Sequence, residues 1–217
     1  PLFQKNKINI NSISQTYNLD KNKKTILFAP TFYPSSVESI GMRLGEYTKN
    51  YNVLIKPHLW TIFLNKFAEL DHGVKRKIFD NLDKTYNHIQ LIPPEIYNII
   101  PFYRISDVLL TEASSTIYEM LACDKPVIVN RFFKLKLSHR IFRSRLYKKR
   151  LSKEMEKDIS SFCHEAKIPA ELPKTFMDVL NNPKVKSSKM KEYQEKMLYK
   201  LDGLAAERAK KEILNRL

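Results

Sequence analysis

Short apolar runs and longer amphipathic stretches follow one another along the first 130 residues of the chain. Thr25 to Ala29 closed by Pro30, Asn52 to Lys56, Ile89 to Ile92 ending at Pro93-Pro94, Val108 to Leu110, and Pro126 to Val129 each suit a strand. Val108 to Leu110 in particular fits a strand buried on both faces. Between the strands, Ser35 to Lys49 reads as one amphipathic helix with serine at its start. Leu59 to Leu70 and Lys75 to Leu82 read as two helical pieces broken at His72-Gly73, and Glu95 to Arg104 as the next helix. Ser114 is a natural N-cap. Ile117, Met120 and Leu121 follow it at helical spacing until Asp124-Lys125-Pro126 stops the helix. Beyond Ser160 the pattern is mostly helical, over Leu172 to Leu180, Ser187 to Leu201 and Leu204 to Leu217. Strands alternating with helices at this spacing predict an α/β fold. Its parallel sheet has right-handed crossovers and flanking helices, and the chain ends in a helical tail.

In such sheets ligands sit beyond the carboxyl ends of the strands, so the strand-end loops should line one edge. These loops hold Pro30-Thr31, Lys56-Pro57-His58, Ile92-Pro93-Pro94 and Thr111-Glu112-Ala113-Ser114-Ser115. An anion on Ser114 and Ser115 would meet two hydroxyls, free amide groups and the positive end of a helix dipole. The same residues also fit a serine-capped crossover helix without a ligand, since no glycine-rich phosphate fingerprint is present. His58 in one of these loops could donate to an anion at the same edge, with Lys56 adding positive charge. The alternative for His58 is a half-buried ring satisfied by backbone, and for Lys56 a solvated side chain. His72, His88, His139 and His164 have no partner at metal or triad spacing and are expected on the surface or in loops.

Four segments in order resemble the C-terminal half of bacterial CDP-glycerol glycerophosphotransferases, the teichoic-acid and capsule polymerases. They are Lys24-Thr-Ile-Leu-Phe-Ala-Pro-Thr31, Tyr51-Asn-Val-Leu-Ile-Lys-Pro-His58, Ser106-Asp-Val-Leu-Leu-Thr-Glu-Ala-Ser-Ser115 and Leu201-Asp-Gly-Leu-Ala-Ala-Glu-Arg208. The resemblance departs at Glu112-Ala113, where the family usually has Asp followed by an aromatic residue, and at Ala206, where it often has Ser. It implies a Rossmann-like domain of GT-B C-terminal type that binds a CDP-linked donor and passes an alditol phosphate to a hydroxyl-bearing polymer or lipid-linked acceptor. Thr31, Lys56, Glu112, Ser114, Ser115 and Glu119 would then bind nucleotide and phosphate, with His58 catalytic. The resemblance gives the two glutamates a role in holding the loop or the ribose. Sugar transfer from a nucleotide-diphosphate sugar keeps the same cradle and is the alternative.

Composition bounds the rest. At 217 residues and 43% apolar, the chain can bury a substantial core. No apolar stretch reaches the roughly 20 residues needed to cross a bilayer, and no secretory signal opens the sequence, so a cytoplasmic location is expected. Cys123 and Cys163 suggest neither disulfide nor metal site and read as packing residues. No Asp-x-Asp pair occurs, so no bound divalent ion is implied and no tightly held cofactor is expected. A metal travelling with the donor stays open.

Residues 1–24, polar and beginning with Pro1, are expected to be a lead-in or interdomain linker after a missing N-terminal domain. Residues 25–217 would form the donor-binding domain.

The net charge of +15 concentrates in a basic insertion at 131–150 that contains no acid. Arg131, Lys134, Lys136, Arg140, Arg143, Arg145, Lys148, Lys149 and Arg150 interleave there with aromatic and aliphatic residues. The insertion could form an amphipathic helix or hairpin on an anionic membrane, which would make the protein peripheral, or could bind a polyanionic acceptor. A solvated loop is the plain alternative. Nucleic acid is disfavoured, because no recognised nucleic-acid module accompanies the patch. A non-enzymatic docking module using only this stretch is the third functional reading.

Overall fold

The computed structural model describes residues 10–63, 66–67, 70–142, 144–146 and 153–216. Its centre is a six-stranded sheet. The strands are β1 (Thr25–Phe28), β2 (Asn52–Ile55), β5 (Ile89–Leu91), β6 (Val108–Thr111), β7 (Val127–Asn130) and β8 (His164–Ala166). They lie in the order β5-β2-β1-β6-β7-β8 with every pair parallel. This is the doubly wound, Rossmann-like arrangement the alternation of elements predicts.

β1, β2, β6 and β7 are buried along their whole length, which is why they read as continuous apolar runs. Successive side chains go to opposite faces. Leu27, Leu54, Leu109, Val127 and Val129 join one core. They pack with α7 (Thr116–Leu121), with α9 (Lys153–Phe162) through Ile159 and Phe162, and with α11 (Ser187–Leu198) through Met190 and Tyr193. Ile26, Phe28, Val53, Ile55, Val108, Leu110 and Ile128 join the other, with Phe79 and Leu82 of α5 (His72–Thr85) and Phe176 and Val179 of α10 (Leu172–Asn181). Each fully buried aliphatic side chain contributes about 1.5–3 kcal/mol relative to exposure, so these two layers supply the main stabilisation of the fold.

Several expected elements differ in extent. The helix expected over Ser35 to Lys49 is two short helices, α2 (Val37–Ile40) and α3 (Arg43–Tyr47). Gly41 between them has φ +56°, a left-handed conformation that ends the first helix. The stretch expected to be helical over Leu59 to Leu70 is helical only in α4 (Leu59–Phe63). An antiparallel pair follows, β3 (Lys66–Phe67) with β4 (Leu70–Asp71). Apolar runs of this length suit either state. His72-Gly73, expected as a break, opens α5 instead.

The helix expected from Glu95 begins later, as α6 (Ile100–Ile105), with Pro101 in its first turn, where a missing N–H costs nothing. Three further elements were not foreseen. Strand β8 is a polar edge strand, His-Glu-Ala, that carries no apolar signal. Helix α9 begins before the point where the helical pattern becomes evident. Helix α1 (Ile10–Thr16) lies within the expected lead-in. It brings Tyr17 into the core, edge-on to Phe102 with ring centroids 5.5 Å apart.

α12 (Ala205–Leu214) buries none of its residues. Among the described residues no helix is long and apolar enough to cross a membrane. Both cysteines are free thiols.

Gly45 of α3 is a point of close approach: a Cβ there would lie 2.2 Å from the ring of Tyr86. Gly45→Ala should destabilise the fold by about 1–3 kcal/mol, the usual cost of overpacking, as read by the midpoint of urea unfolding. An unchanged midpoint would mean that the ring swings aside freely.

Candidate functional site

Strand order reverses between β1 and β6, and the loops that follow these two strands form the centre of a cleft of about 530 Å³. Pro30, Thr31, Phe32 and Tyr33 come from the first loop, and Ala113, Ser114, Ser115 and Thr116 from the second. Lys56, Pro57, His58 and Trp60 follow β2, while Tyr97 and Ile99 come from the segment after β5. In doubly wound sheets this switch point is where ligands bind. Of the expected site residues, Thr31, Lys56, His58, Ser114 and Ser115 are brought together here. In the segment after β5 it is Tyr97 and Ile99, not Pro93-Pro94, that reach the cleft.

The β1 loop is held from below. Glu112, 1% exposed, accepts from the Thr31 amide at 2.6 Å and the Ser36 amide at 2.8 Å, and from the Ser36 hydroxyl. Asn130 Nδ2 donates to the Ser36 oxygen at 2.9 Å, and Lys75 Nζ donates to the Phe32 carbonyl at 2.5 Å. Burial pushes the Glu112 carboxyl up. The bonds from Ser36 and Thr31 and the charge of Lys75 pull it back. Glu112 therefore lies beneath the cleft wall rather than in the cleft. Glu119 is also outside the lining and accepts from the Tyr103 hydroxyl at 2.9 Å.

The serine loop is arranged differently from a simple cap. The helix starts at Thr116 with Ser115 at the N-cap position, one residue later than the sequence suggests, and the Ser115 side chain caps no amide. Ser114 Oγ instead pairs with Thr116 Oγ1 at 2.5 Å. Thr111 Oγ1, within 3.4 Å of both, donates to the Ala29 carbonyl at 2.7 Å. A chain of hydroxyls thus ties the serine loop to the end of β1.

His58 is fixed by its neighbour. The Trp60 amide donates to Nδ1 at 3.1 Å, which leaves the proton of the neutral ring on Nε2. The ring centroids of Phe32 and Trp60 lie 5.0 and 5.9 Å from that of His58. Although His58 is exposed as a residue, partial desolvation of its ring against Phe32 and Trp60, first, and then the Lys56 ammonium lower its pKa. Burial likewise lowers Lys56, with Glu95 opposing. Trp60 and Tyr97, 44% and 68% exposed, were not singled out from the sequence. An aromatic two residues after a strand-end histidine was the available signal.

The basic insertion is partly consumed within the fold. Arg131 pairs with Glu156 at 3.2 Å and Glu165 at 2.6 Å, and Lys134 pairs with Glu38 at 3.0 Å. These acids are distant in sequence, so the absence of acids inside 131–150 did not reveal the pairing. Lys136 lies over the Tyr33 ring and Arg145 over that of Phe142. Arg140 is exposed on α8 (Leu137–Ile141). Arg143, Lys148, Lys149 and Arg150 lie outside the described residues. A second cavity, of about 580 Å³, opens beside Arg131, Glu156 and Glu165.

The expectation of surface or loop histidines is corrected at His139 and His164 and holds at His88, which lies in the turn before β5. His139 is buried, with Nδ1 2.6 Å from the Tyr33 hydroxyl. His88 is half-buried beside Thr48, and His164 belongs to β8 with its Nε2 enclosed. The partners of His139 and His88, Tyr33 and Thr48, are remote in sequence. His72 begins α5.

Comparison with known proteins bears on this site. A family model described as CDP-Glycerol:Poly(glycerophosphate) glycerophosphotransferase matches residues 1–215. The solved wall teichoic acid polymerase TagF aligns with a TM-score of 0.61 at 17% identity, over 95% of this chain and 46% of that one. A histidine variant of TagF soaked with CDPG aligns at 0.58 and 17% identity, over 95% and 45%. A putative UDP-N-acetylglucosamine 2-epimerase from Listeria monocytogenes aligns at 0.52 and 17%, over 87% and 43%. The chain thus spans about half the length of these proteins. No curated protein matches.

His58 should titrate below its ordinary value of 6.5 in an NMR pH series. Lys56→Met should raise it while leaving it depressed, because burial is the larger cause. Since the folded pKa is the lower one, the stability this group contributes is complete above the unfolded value and is lost as pH falls through the folded one. A His58 that titrates at or above 6.5 in the unmodified protein would contradict this partial desolvation of the ring.

Proposed function

The chain belongs to the CDP-glycerol:poly(glycerophosphate) glycerophosphotransferase family, and we propose that it is the donor-binding half of a GT-B transferase. Its donor would be a CDP-linked alditol. The observation that carries this reading is the meeting of Thr31, Lys56, His58, Ser114 and Ser115 at one cleft on the switch point of the sheet. Hydroxyls and a lysine suit a pyrophosphate, and a neutral imidazole with its proton on Nε2 suits a phosphate oxygen that gains charge.

In the proposed reaction an acceptor hydroxyl attacks the β-phosphorus. The new bond joins the acceptor oxygen to that phosphorus, the bond to the bridging oxygen breaks, and CMP departs with the electron pair. His58 Nε2–H donates to the bridging or a β-phosphate oxygen, while the hydroxyl proton goes to a base outside this chain. Catalysis would then consist mainly of positioning and charge stabilisation. No group on this chain is required as a nucleophile.

The acceptor side is drawn from the surface. On α8 and just after it, Leu137, Ile141 and Phe142 are 68%, 63% and 51% exposed, with Arg140 and Arg145 among them. Apolar and cationic side chains together suit an anionic membrane surface on which a lipid-linked acceptor polymer is presented.

Calorimetric titration with CDP, UDP and GDP tests the donor assignment. CDP is expected to bind in preference, and Ser115→Ala or His58→Ala to weaken it roughly ten- to hundredfold, as expected for one hydrogen bond to a charged group. Preference for UDP or GDP would point to sugar transfer. Unchanged affinity in both variants would remove the site assignment.

A further inference from the structure

Tyr33 serves two regions at once. Its residue lines the cleft, yet its hydroxyl ends at a buried contact with α8. That hydroxyl accepts from the Lys136 amide at 3.3 Å, so its own proton goes to His139 Nδ1, 2.6 Å away. Both side chains are enclosed, Tyr33 being 4% and His139 8% exposed. The same segment also holds the end of the Tyr33 loop and the helix α2 that follows it. Lys134 donates its amide to the Ser35 carbonyl at 3.3 Å, and its ammonium pairs with Glu38 at 3.0 Å.

The residue before Tyr33 is Phe32, whose ring lies 5.0 Å from His58 and 4.9 Å from Trp60. Any shift of Tyr33 must therefore move the wall against which His58 rests. We infer that His139, acting through the Tyr33 hydroxyl, is a positioning residue for the cleft: it fixes the loop that sets Phe32 against His58 and Trp60. Its effect on donor binding rests on the function proposed above; its effect on the geometry of the cleft does not.

Trp60 is the single tryptophan of the chain, so its fluorescence reports this wall without any ligand. Tyr33→Phe, His139→Ala and His139→Asn would be compared by acrylamide quenching of Trp60, by CDP affinity and by thermal midpoint. Asparagine keeps a polar atom near the position of Nδ1. His139→Ala and Tyr33→Phe are expected to change quenching and to weaken CDP roughly three- to tenfold, about the value of one neutral hydrogen bond. The double variant should be no worse than either single, because both remove one contact. His139→Asn should restore both readouts.

A lowered midpoint with unchanged quenching and unchanged CDP affinity would show a pair that only packs, and would overturn the inference. Changed quenching in a protein whose unmodified form binds no CDP would uphold the positioning role while removing the donor reading. Should His139→Ala fail to fold, Tyr33→Phe alone decides, since it deletes one oxygen and keeps the ring.

Discussion

A carboxylate shut away from water must be given donors, and Glu112 receives them from the loop that follows a different strand. Burying an unpaired ionised carboxyl would cost several kcal/mol or force it to take up a proton. Here two amides and a hydroxyl from Thr31 and Ser36 converge on it. The same contact satisfies backbone groups of a loop that could not otherwise dip into the sheet edge. The β1 loop is thereby fixed to the β6 loop, and the cleft between them gains a defined floor. Lys75 and Asn130 extend this network to α5 and β7, so three elements hold one loop.

The rest of the site depends on that fixed loop. Phe32 leans on His58 from one side while the Trp60 amide holds Nδ1 from the other, so the imidazole has a defined tautomer and direction before any ligand arrives. The hydroxyls of Thr111, Ser114 and Thr116 form a continuous chain under the serine loop. Preorganised groups of this kind cost little reorganisation when charge develops near them. Lys56, buried at 7% exposure, contributes a cation that water screens only weakly.

The parallel sheet was legible because strands buried on both faces are written as unbroken apolar runs such as Val108 to Leu110. The strand-end positions of Thr31, His58 and Ser115 followed from that reading alone. What stayed hidden depends on contacts between distant residues. Glu112 gave no sign that its partners would be Thr31 and Ser36, some 80 residues earlier. His139 looked like part of a charged loop because Tyr33, 106 residues away, supplies its contact. Arg131 looked like one member of a basic patch until β8 brought Glu165 beside it. Short polar elements such as β8 were also missed, because periodicity needs a longer stretch to appear.

In the function proposed here, a nucleotide diphosphate occupies the cleft between the β1 loop, His58 and the serine pair. The most direct measurement is the set of backbone amide and imidazole NMR shifts as CDP is added to isotope-labelled protein. Thr31, Trp60, Ser115, Thr116 and the His58 ring should move together, while Glu156 and Glu165 beside the second cavity stay in place. Shifts confined to the Arg131 cavity, or an unmoved serine loop at saturating CDP, would contradict it.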